Sequence, residues 1–182
     1  MPLEKHYRTK VVLVGDKAVG KTSLIRRYVL DQFDDRYLLT LGSKVTKKVL
    51  DLAVPERDLQ VQLDLAIWDI MGQTGLREVM KEAYFYGASG ALAVVDRTRP
   101  ESLEGIDDWL EVVRHVSGAV PVVLAVNKND LRAQAAIRIE EIEEAAARLR
   151  CEYLLTSAKT GENVERAFQL LGDRVLRKLL GP

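Results

Sequence analysis

Cysteine is nearly absent from this 182-residue chain, because Cys151 is the only one and no internal disulfide can form. Disulfides are typical of secreted proteins, so this composition favours a cytoplasmic location. Long hydrophobic runs are also lacking, since no apolar stretch approaches the roughly 18–20 residues of a membrane-spanning helix. The opening "MPLEKHYRTK" has no apolar core, and Pro2 stands where N-myristoylation requires glycine. We therefore expect neither a signal peptide nor an N-terminal lipid.

An excess of charge of either sign is missing as well, because 27 Lys and Arg residues balance 27 Asp and Glu residues. Such a balance gives no electrostatic reason to expect nucleic acid or an anionic membrane as a partner. The two histidines, His6 and His115, have no Cys or His companions at ligand spacing, so we assign them no metal. Apolar residues make up 47% of the chain and charged residues 30%, which predicts one soluble, folded domain over residues 1–182.

The chain does contain apolar β-type runs that alternate with helical patterns. Continuous Val, Leu and Ala predict strands buried on both faces at "KVVLVG", "GALAVVD" and "PVVLAV". Polar–apolar alternation predicts a hairpin formed by "SKVTKKVLDL" and "LQVQLDLAIWD", and a last strand follows at "CEYLLTSAK". Helices are predicted over about 21–31, 75–86, 101–116, from 137–140 onward, and over 163–180. This order predicts an α/β fold with a mostly parallel sheet covered by helices on both faces.

The segment "GDKAVGKT", residues 15–22, matches the phosphate-loop pattern G-x-x-x-x-G-K-[ST] between the first strand and the first helix. Gly15 and Gly20 allow the backbone to turn its N–H groups inward toward phosphate oxygens. The helix N-terminus adds partial positive charge. Lys21 is predicted to reach the β- and γ-phosphates, and the Thr22 hydroxyl is predicted to bind Mg²⁺.

Two further strand ends carry residues that suit a guanine base. In "NKND", residues 127–130, the Asp130 carboxylate can accept hydrogen bonds from guanine N1–H and its 2-amino group, a donor pair that adenine lacks. A buried polar group left unpaired costs about 1–3 kcal/mol, so this carboxylate would reject adenine. In "TSAK", residues 156–159, the Ala158 N–H can donate to the guanine carbonyl. The carboxyl ends of parallel strands meet at one edge, where ligands bind.

With these motifs in place, the chain resembles the Ras-like small GTPases, and within them the Rab branch most closely. The matching stretches follow the family's order: "GDKAVGKTSL", "TLG" at 40–42, "WDIMGQ", "GASGALAVVDRT", "NKNDL" and "TSAKTGENV". The resemblance covers residues 8–180 and implies a small G-domain of the P-loop NTPase fold, after a short N-terminal extension over residues 1–7. It implies six strands, mostly parallel, with the second strand antiparallel at the sheet edge.

On the base side, the resemblance implies that Asp130 holds the guanine edge and Ser157 supports it. Asn127 would brace the loop, the Lys128 stem would pack on the base, and Phe33 would stack on guanine or cover the ribose. The remaining implied nucleotide contacts are Asp16, Lys17, Ala18, Val19, Ser23, Tyr37, Leu131 and Lys159.

On the phosphate side, the resemblance implies a metal site and a catalytic group. Thr40 would join Thr22 on Mg²⁺ when a γ-phosphate is present, and Asp69 would hold the metal through water. The Gly72 N–H would contact the γ-phosphate, and Gln73 would orient the attacking water. The implied catalytic residues are Gln73, Lys21, Thr40 and Gly72.

The implied function is a molecular switch that slowly hydrolyses GTP to GDP and phosphate. Two nucleotide-sensing loops, at about 33–43 and 69–80, would be recognised by effector, activating and exchange proteins, and the chain would act as a monomer. The ending "RKLLGP" has no cysteine for prenylation, which fits either a removed tail or a prokaryotic, non-lipidated relative.

Several residues depart from the family pattern. Lys17 and Ala18 lie in the phosphate loop, and Met71 and Thr74 interrupt the usual "DTAGQE" segment. The region 43–69 is longer than usual by roughly half a dozen residues around "AVPERDL", which we interpret as an exposed extension, with an effector or assembly surface as the alternative. Two other functions stay open: a GTP-binding module without measurable hydrolysis, and a small-metabolite kinase, which leaves "NKND" and "TSAK" unexplained.

Overall fold

The computed structural model describes residues 3–36, 43–70 and 82–182. Its strands are β1 (Leu3–Val14), β2 (Ser43–Val54), β3 (Leu59–Ile70), β4 (Gly90–Asp96), β5 (Val122–Asn127) and β6 (Glu152–Leu155). Its labelled helices are α1 (Lys21–Leu30), α2 (Pro100–Glu104), α3 (Ile106–Ser117), α4 (Ile139–Leu149) and α5 (Val164–Leu180), and residues 82–85 are also helical. None of the helices in these ranges is long and apolar enough to cross a membrane.

The six strands form one sheet in the order β2-β3-β1-β4-β5-β6. β1 pairs in parallel with β3 and β4, and β4 and β6 pair in parallel with β5, whereas β2 runs antiparallel to β3 at the edge. The strand order reverses between β1 and its two neighbours, which is the point where open α/β sheets bind ligands. The predicted fold class, including the antiparallel edge strand, is confirmed.

Two hydrophobic cores lie on opposite faces of the sheet. Alternate residues of β1 separate the faces, since Val11 and Leu13 join one core while Val12 and Val14 join the other. The first core is closed by α1 and α5, and the second by α3 and α4. β4 is buried at every position, which explains its uninterrupted apolar sequence.

The first strand is longer than its sequence pattern indicates. Before Lys10 the sequence has no regular alternation of polar and apolar residues. Nevertheless, β1 begins at Leu3 and stays paired with β3 from the Leu3–Leu59 pair onward. Most side chains over residues 3–8 are exposed, so the sequence has no apolar pattern there that would indicate a strand. The helix predicted over 101–116 is likewise divided, with Gly105 separating α2 from α3.

The lengthened hairpin contacts the last helix. Its turn, residues 55–58, is exposed as expected, but the flanking Val54 and Leu59 are buried against Leu176 of α5. Arg57 donates to the carbonyl oxygens of Leu180 at 3.1 Å and of Gly181 at 2.7 Å. We call the contact of Val54, Arg57 and Leu59 with α5 the hairpin clasp. The interpretation of this segment as an exposed extension is therefore confirmed for residues 55–58, whereas Val54 and Leu59 on either side of them are buried against α5.

Candidate nucleotide-binding site

A cavity of about 360 Å³ opens at the carboxyl ends of the central strands, a size typical of small-molecule sites. The predicted nucleotide contacts that line it are Lys17, Ala18, Gly20, Lys21, Thr22, Ser23, Phe33, Asn127, Lys128, Asp130, Leu131, Ala158 and Lys159. Arg26, Gln32, Asp34, Asp35, Arg36 and Ile70 complete the wall. The structure thus brings the phosphate-loop, "NKND" and "TSAK" segments together around one cavity.

The phosphate loop depends on two glycines. Gly15 has a φ of +139° and Gly20 a φ of +103°, both in the region that L side chains avoid. A Cβ atom on Gly15 would lie closer than 3.0 Å to the Val94 carbonyl oxygen, and one on Gly20 would lie equally close to Asn127 Nδ2. The loop backbone therefore sits directly against β4 and β5, at distances that no other residue type permits.

Lys21 lies inside the phosphate loop, and its side chain is almost fully buried. Its ammonium group donates to the carbonyl oxygen of Gly15 at 2.6 Å and to that of Asp16 at 2.8 Å. Burial lowers the pKa of Lys21 to about 8, although the negative charges of Asp69 and Asp16 oppose this effect. The loop therefore holds one buried cation at the position where phosphate oxygens would need it.

Asp69, at the end of β3, faces Thr22 at the start of α1. The Thr22 hydroxyl donates to Asp69 Oδ2 at 2.5 Å, and burial raises the pKa of the carboxyl group. The second oxygen, Oδ1, is buried and has no hydrogen-bond partner within the described ranges. An unsatisfied buried carboxylate oxygen beside a hydroxyl fits Mg²⁺, which prefers oxygen ligands and retains several waters. The described residues contain no cluster of three His, Cys, Asp or Glu side chains that could hold a metal ion.

Asn127 connects the three segments that surround the cavity. Its Nδ2 donates to the Val19 carbonyl oxygen at 2.9 Å, and its Oδ1 accepts from Thr156 Oγ1 at 3.3 Å and from the Ala158 N–H at 3.2 Å. The side chain is buried, so these bonds are shielded from water. The phosphate loop, the end of β5 and the loop after β6 are therefore fixed relative to one another.

On the base side of the cavity, Ser157 is fully buried and its hydroxyl donates to Asp130 Oδ1 at 2.6 Å. The Asp130 carboxylate lines the cavity, where a base would lie. Arg27 of α1 supports the neighbouring loop, because it donates to the carbonyl oxygens of Ala158 at 2.8 Å and Lys159 at 2.6 Å. Phe33 also lines the cavity and is half-buried.

Sequence reasoning missed a set of residues behind the cavity. The Trp109 indole N–H donates to Asp16 Oδ1 at 2.9 Å, and Arg99 donates to the Lys17 carbonyl oxygen at 2.7 Å. Asp96, at the end of β4, forms an ion pair with Lys128 at 2.6 Å. The position of Asp96 in the sequence could have indicated a role, because it is a carboxylate at the end of an apolar strand, as Asp69 is.

Four predicted site residues, Tyr37, Thr40, Gly72 and Gln73, lie outside the described residues, as do Met71 and Thr74. Their roles remain predictions. Gly15, Asp16, Val19, Asp69 and Ser157 are not among the described residues that line the cavity. Three of them bond to lining residues, since Lys21 donates to the Asp16 carbonyl oxygen, Asn127 to the Val19 carbonyl oxygen and Ser157 to Asp130.

The sequence model of the Ras family matches residues 10–177 of the chain. The chain belongs to the Ras family. Among its relatives, Ras-related protein RABA4b of Arabidopsis thaliana is 37% identical over 170 residues, which cover 93% of this chain and 73% of that protein. Ras-related protein Rab-13 of Rattus norvegicus is 33% identical, with 94% of this chain and 82% of that protein covered. GTP-binding protein ypt4 of Schizosaccharomyces pombe is 32% identical, with coverages of 95% and 74%.

This Ras-family chain is a small GTPase of the Rab-like type, and such proteins are GTP-binding switches. Ras-family GTPases bind GTP or GDP, generally together with Mg²⁺. The resemblance found in the sequence motifs is thus confirmed at the level of the family and of its Rab-type members.

Proposed function

We propose that this chain, as a single G-domain over residues 1–182, binds GTP or GDP with Mg²⁺ in the 360 Å³ cavity and slowly hydrolyses GTP to GDP and phosphate. The observation that supports it most is the convergence of three separate strand-end segments on that cavity. Asn127 joins them through bonds to Val19, Thr156 and Ala158. A metabolite kinase would not need the "NKND" and "TSAK" segments beside its phosphate loop.

Guanine recognition rests on Asp130. Its carboxylate lines the cavity and is oriented by the Ser157 hydroxyl at 2.6 Å, so its free lone pairs can accept from guanine N1–H and the 2-amino group. The Lys128 stem and Phe33 form apolar surfaces on the cavity wall against which a flat base can stack. Leu131 and Ala158 close the same end.

Phosphate binding rests on the loop over residues 15–22. Its backbone N–H groups and the α1 N-terminus present partial positive charge, and the Lys21 ammonium adds a full charge. Thr22, Thr40 and, through water, Asp69 are the residues that would hold Mg²⁺. When bound, Mg²⁺ would neutralise charge on the phosphate oxygens.

Hydrolysis requires a positioned water and stabilisation of charge rather than a covalent intermediate. Gln73 would orient the water for in-line attack, and the Gly72 N–H would contact the γ-phosphate. Loss of that phosphate removes contacts to Thr40 and Gly72, so both loops, at about 33–43 and 69–80, change their surface. Effector, activating and exchange proteins would read this change.

One specific observation favours a second function, that of a GTP-binding interaction module with little hydrolysis. The Lys17 side chain is exposed at the phosphate end of the cavity, where an activating arginine from another protein would have to approach. Because Lys17 is bulky and positively charged, it would hinder the approach of such an arginine to the γ-phosphate.

Analysis of the bound nucleotide tests both functions. Protein purified without added nucleotide is denatured, and the released small molecules are separated by chromatography. Bound GDP would support the switch, bound GTP the module, and adenine nucleotide or none would overturn guanine binding. Asp130→Asn should move preference from GDP toward xanthosine diphosphate, because an amide offers a donor where the carboxylate accepted, whereas Asp107→Asn on the surface of α3 should not.

A further inference from the structure

Two side chains behind the cavity connect its phosphate end to its base end. The Arg99 guanidinium donates through one nitrogen to the Lys17 carbonyl oxygen at 2.7 Å, and its Nε lies 3.3 Å from Asp96 Oδ2. The Lys128 ammonium lies 2.6 Å from the same Asp96 oxygen. The contacts thus run without a gap from the phosphate loop through Arg99 and Asp96 to the base loop.

Asp96 is held in place from several directions. Its Oδ1 accepts from the Thr98 N–H at 2.9 Å and from the Thr98 hydroxyl at 2.7 Å, and its own N–H donates to Ser102 Oγ at 2.9 Å. Burial opposes ionisation, but the hydrogen bonds from Lys128 and Thr98 outweigh it and hold the pKa of Asp96 below its usual value. The carboxylate is therefore a fixed negative charge rather than a mobile surface group.

Neither Asp96 nor Arg99 belongs to the described residues that line the cavity, whereas Lys17 and Lys128 both do. Their direct contacts with the cavity lining are the bond from Arg99 to the Lys17 carbonyl oxygen and the ion pair of Asp96 with Lys128. Because Lys128 has a left-handed backbone, with a φ of +64°, its loop has a strained conformation that an anchored side chain helps to retain. The ion pair with Asp96 supplies that anchor.

We infer that Arg99 and Asp96 are positioning residues that couple guanine recognition to the phosphate loop, so that each end of the cavity is ordered only when the other is. This coupling, the Arg99–Asp96 link, rests on the proposed guanine-nucleotide binding. The guanidinium is suited to the task because its fork reaches two acceptors at once, which a lysine ammonium at the same position does not do with defined geometry.

The link is tested by measuring base selectivity in a variant that removes the Arg99 side chain but leaves the base-contacting residues unchanged. Dissociation constants for GDP and inosine diphosphate, which lacks the 2-amino group, are obtained by displacement of a fluorescent GDP analogue. In Arg99→Ala, the ratio of the two constants should fall by on the order of tenfold, within the range of coupling between residues of one network. If Arg99 had a solely structural role, its loss would lower the affinities for both nucleotides equally and leave the ratio unchanged. That result would overturn the inference.

Two further variants sharpen the test. Arg99→Lys should have a melting temperature close to that of the wild type, since the charge pair with Asp96 is kept, but its selectivity ratio should stay as low as that of Arg99→Ala. Recovery of the wild-type ratio in Arg99→Lys would contradict the two-acceptor link. Arg148→Ala, which removes a comparable arginine 2.8 Å from Asp107 on the surface, should leave the ratio at the wild-type value. A wild-type protein without preference for GDP would overturn the proposed function itself, whereas wild-type preference with an unchanged ratio in Arg99→Ala would overturn only the link.

Discussion

Replacing Gly20 by alanine should destabilise the nucleotide-free protein in a way that a matched glycine does not. A Cβ at this position would lie closer than 3.0 Å to Asn127 Nδ2, and the φ of +103° adds backbone strain. Gly87 also has a positive φ, +74°, but a Cβ there has no heavy atom of the described residues within 4 Å. Gly87→Ala therefore measures the cost of backbone strain without the steric clash that Gly20→Ala adds.

The magnitude follows from what Asn127 holds. Adopting a left-handed backbone costs a non-glycine residue about 1–2 kcal/mol, and both variants incur that cost. In Gly20→Ala the displaced Asn127 amide also leaves the Val19 carbonyl oxygen without its 2.9 Å bond, which adds about 1–3 kcal/mol for a buried unpaired group. Restriction of the unfolded chain offsets about 0.4–1 kcal/mol in both variants, so it cancels in the comparison.

Urea unfolding in the presence of EDTA, after removal of nucleotide, gives the free energies without stabilisation by ligand. Gly20→Ala should lose about 1–3 kcal/mol more than Gly87→Ala. In the background of Asn127→Ala, where the colliding amide is gone, the loss caused by Gly20→Ala should shrink toward the strain alone. Equal losses in the two single variants, or full additivity with Asn127→Ala, would refute the role assigned to this contact.

The remaining expectations concern catalysis, the hairpin clasp and the cysteine. Gln73→Leu should slow single-turnover GTP hydrolysis while leaving GDP affinity nearly intact, and equal rates would mean that another group places the water. Leu176→Ala should cost about 2–5 kcal/mol in urea unfolding because Leu176 is fully buried, whereas Leu179→Ala on the exposed side should cost under about 0.5 kcal/mol. Partial burial raises the pKa of Cys151 to about 11, so iodoacetamide should label the folded thiol ~100-fold more slowly than the urea-unfolded one at neutral pH. Similar rates would contradict the effect of this partial burial on the thiol.

The positions of the site residues were predictable because the central strands are short and continuously apolar. Each such run ends where the chain leaves the sheet, so Asn127 could be placed at the ligand-binding edge before the sheet order was known. The phosphate loop was predictable for a different reason, since its glycines and Lys21 occur at a spacing that few other structures require.

Contacts between distant parts of the chain could not be predicted in the same way. Arg99 and the Lys17 carbonyl oxygen are 82 positions apart, and no local pattern links them. Arg57 and Leu180, which are 123 positions apart, meet only because the longer β2 and β3 extend along α5. The start of β1 could not be predicted, because the residues before Lys10 are polar and exposed. They pair with β3 all the same, since strand pairing does not require apolar side chains.

The hairpin clasp also determines how the molecule can open. Tyr7 of β1, the hairpin residues Val54 and Leu59, and Leu176 and Leu180 of α5 contribute to one small cluster, although they come from the beginning and the end of the described chain. The final turn of an isolated helix normally frays, but here it cannot do so without exposing the hairpin's apolar residues. Amide hydrogens near Leu180 should therefore exchange together with those of β2 and β3, as parts of one cooperative unit.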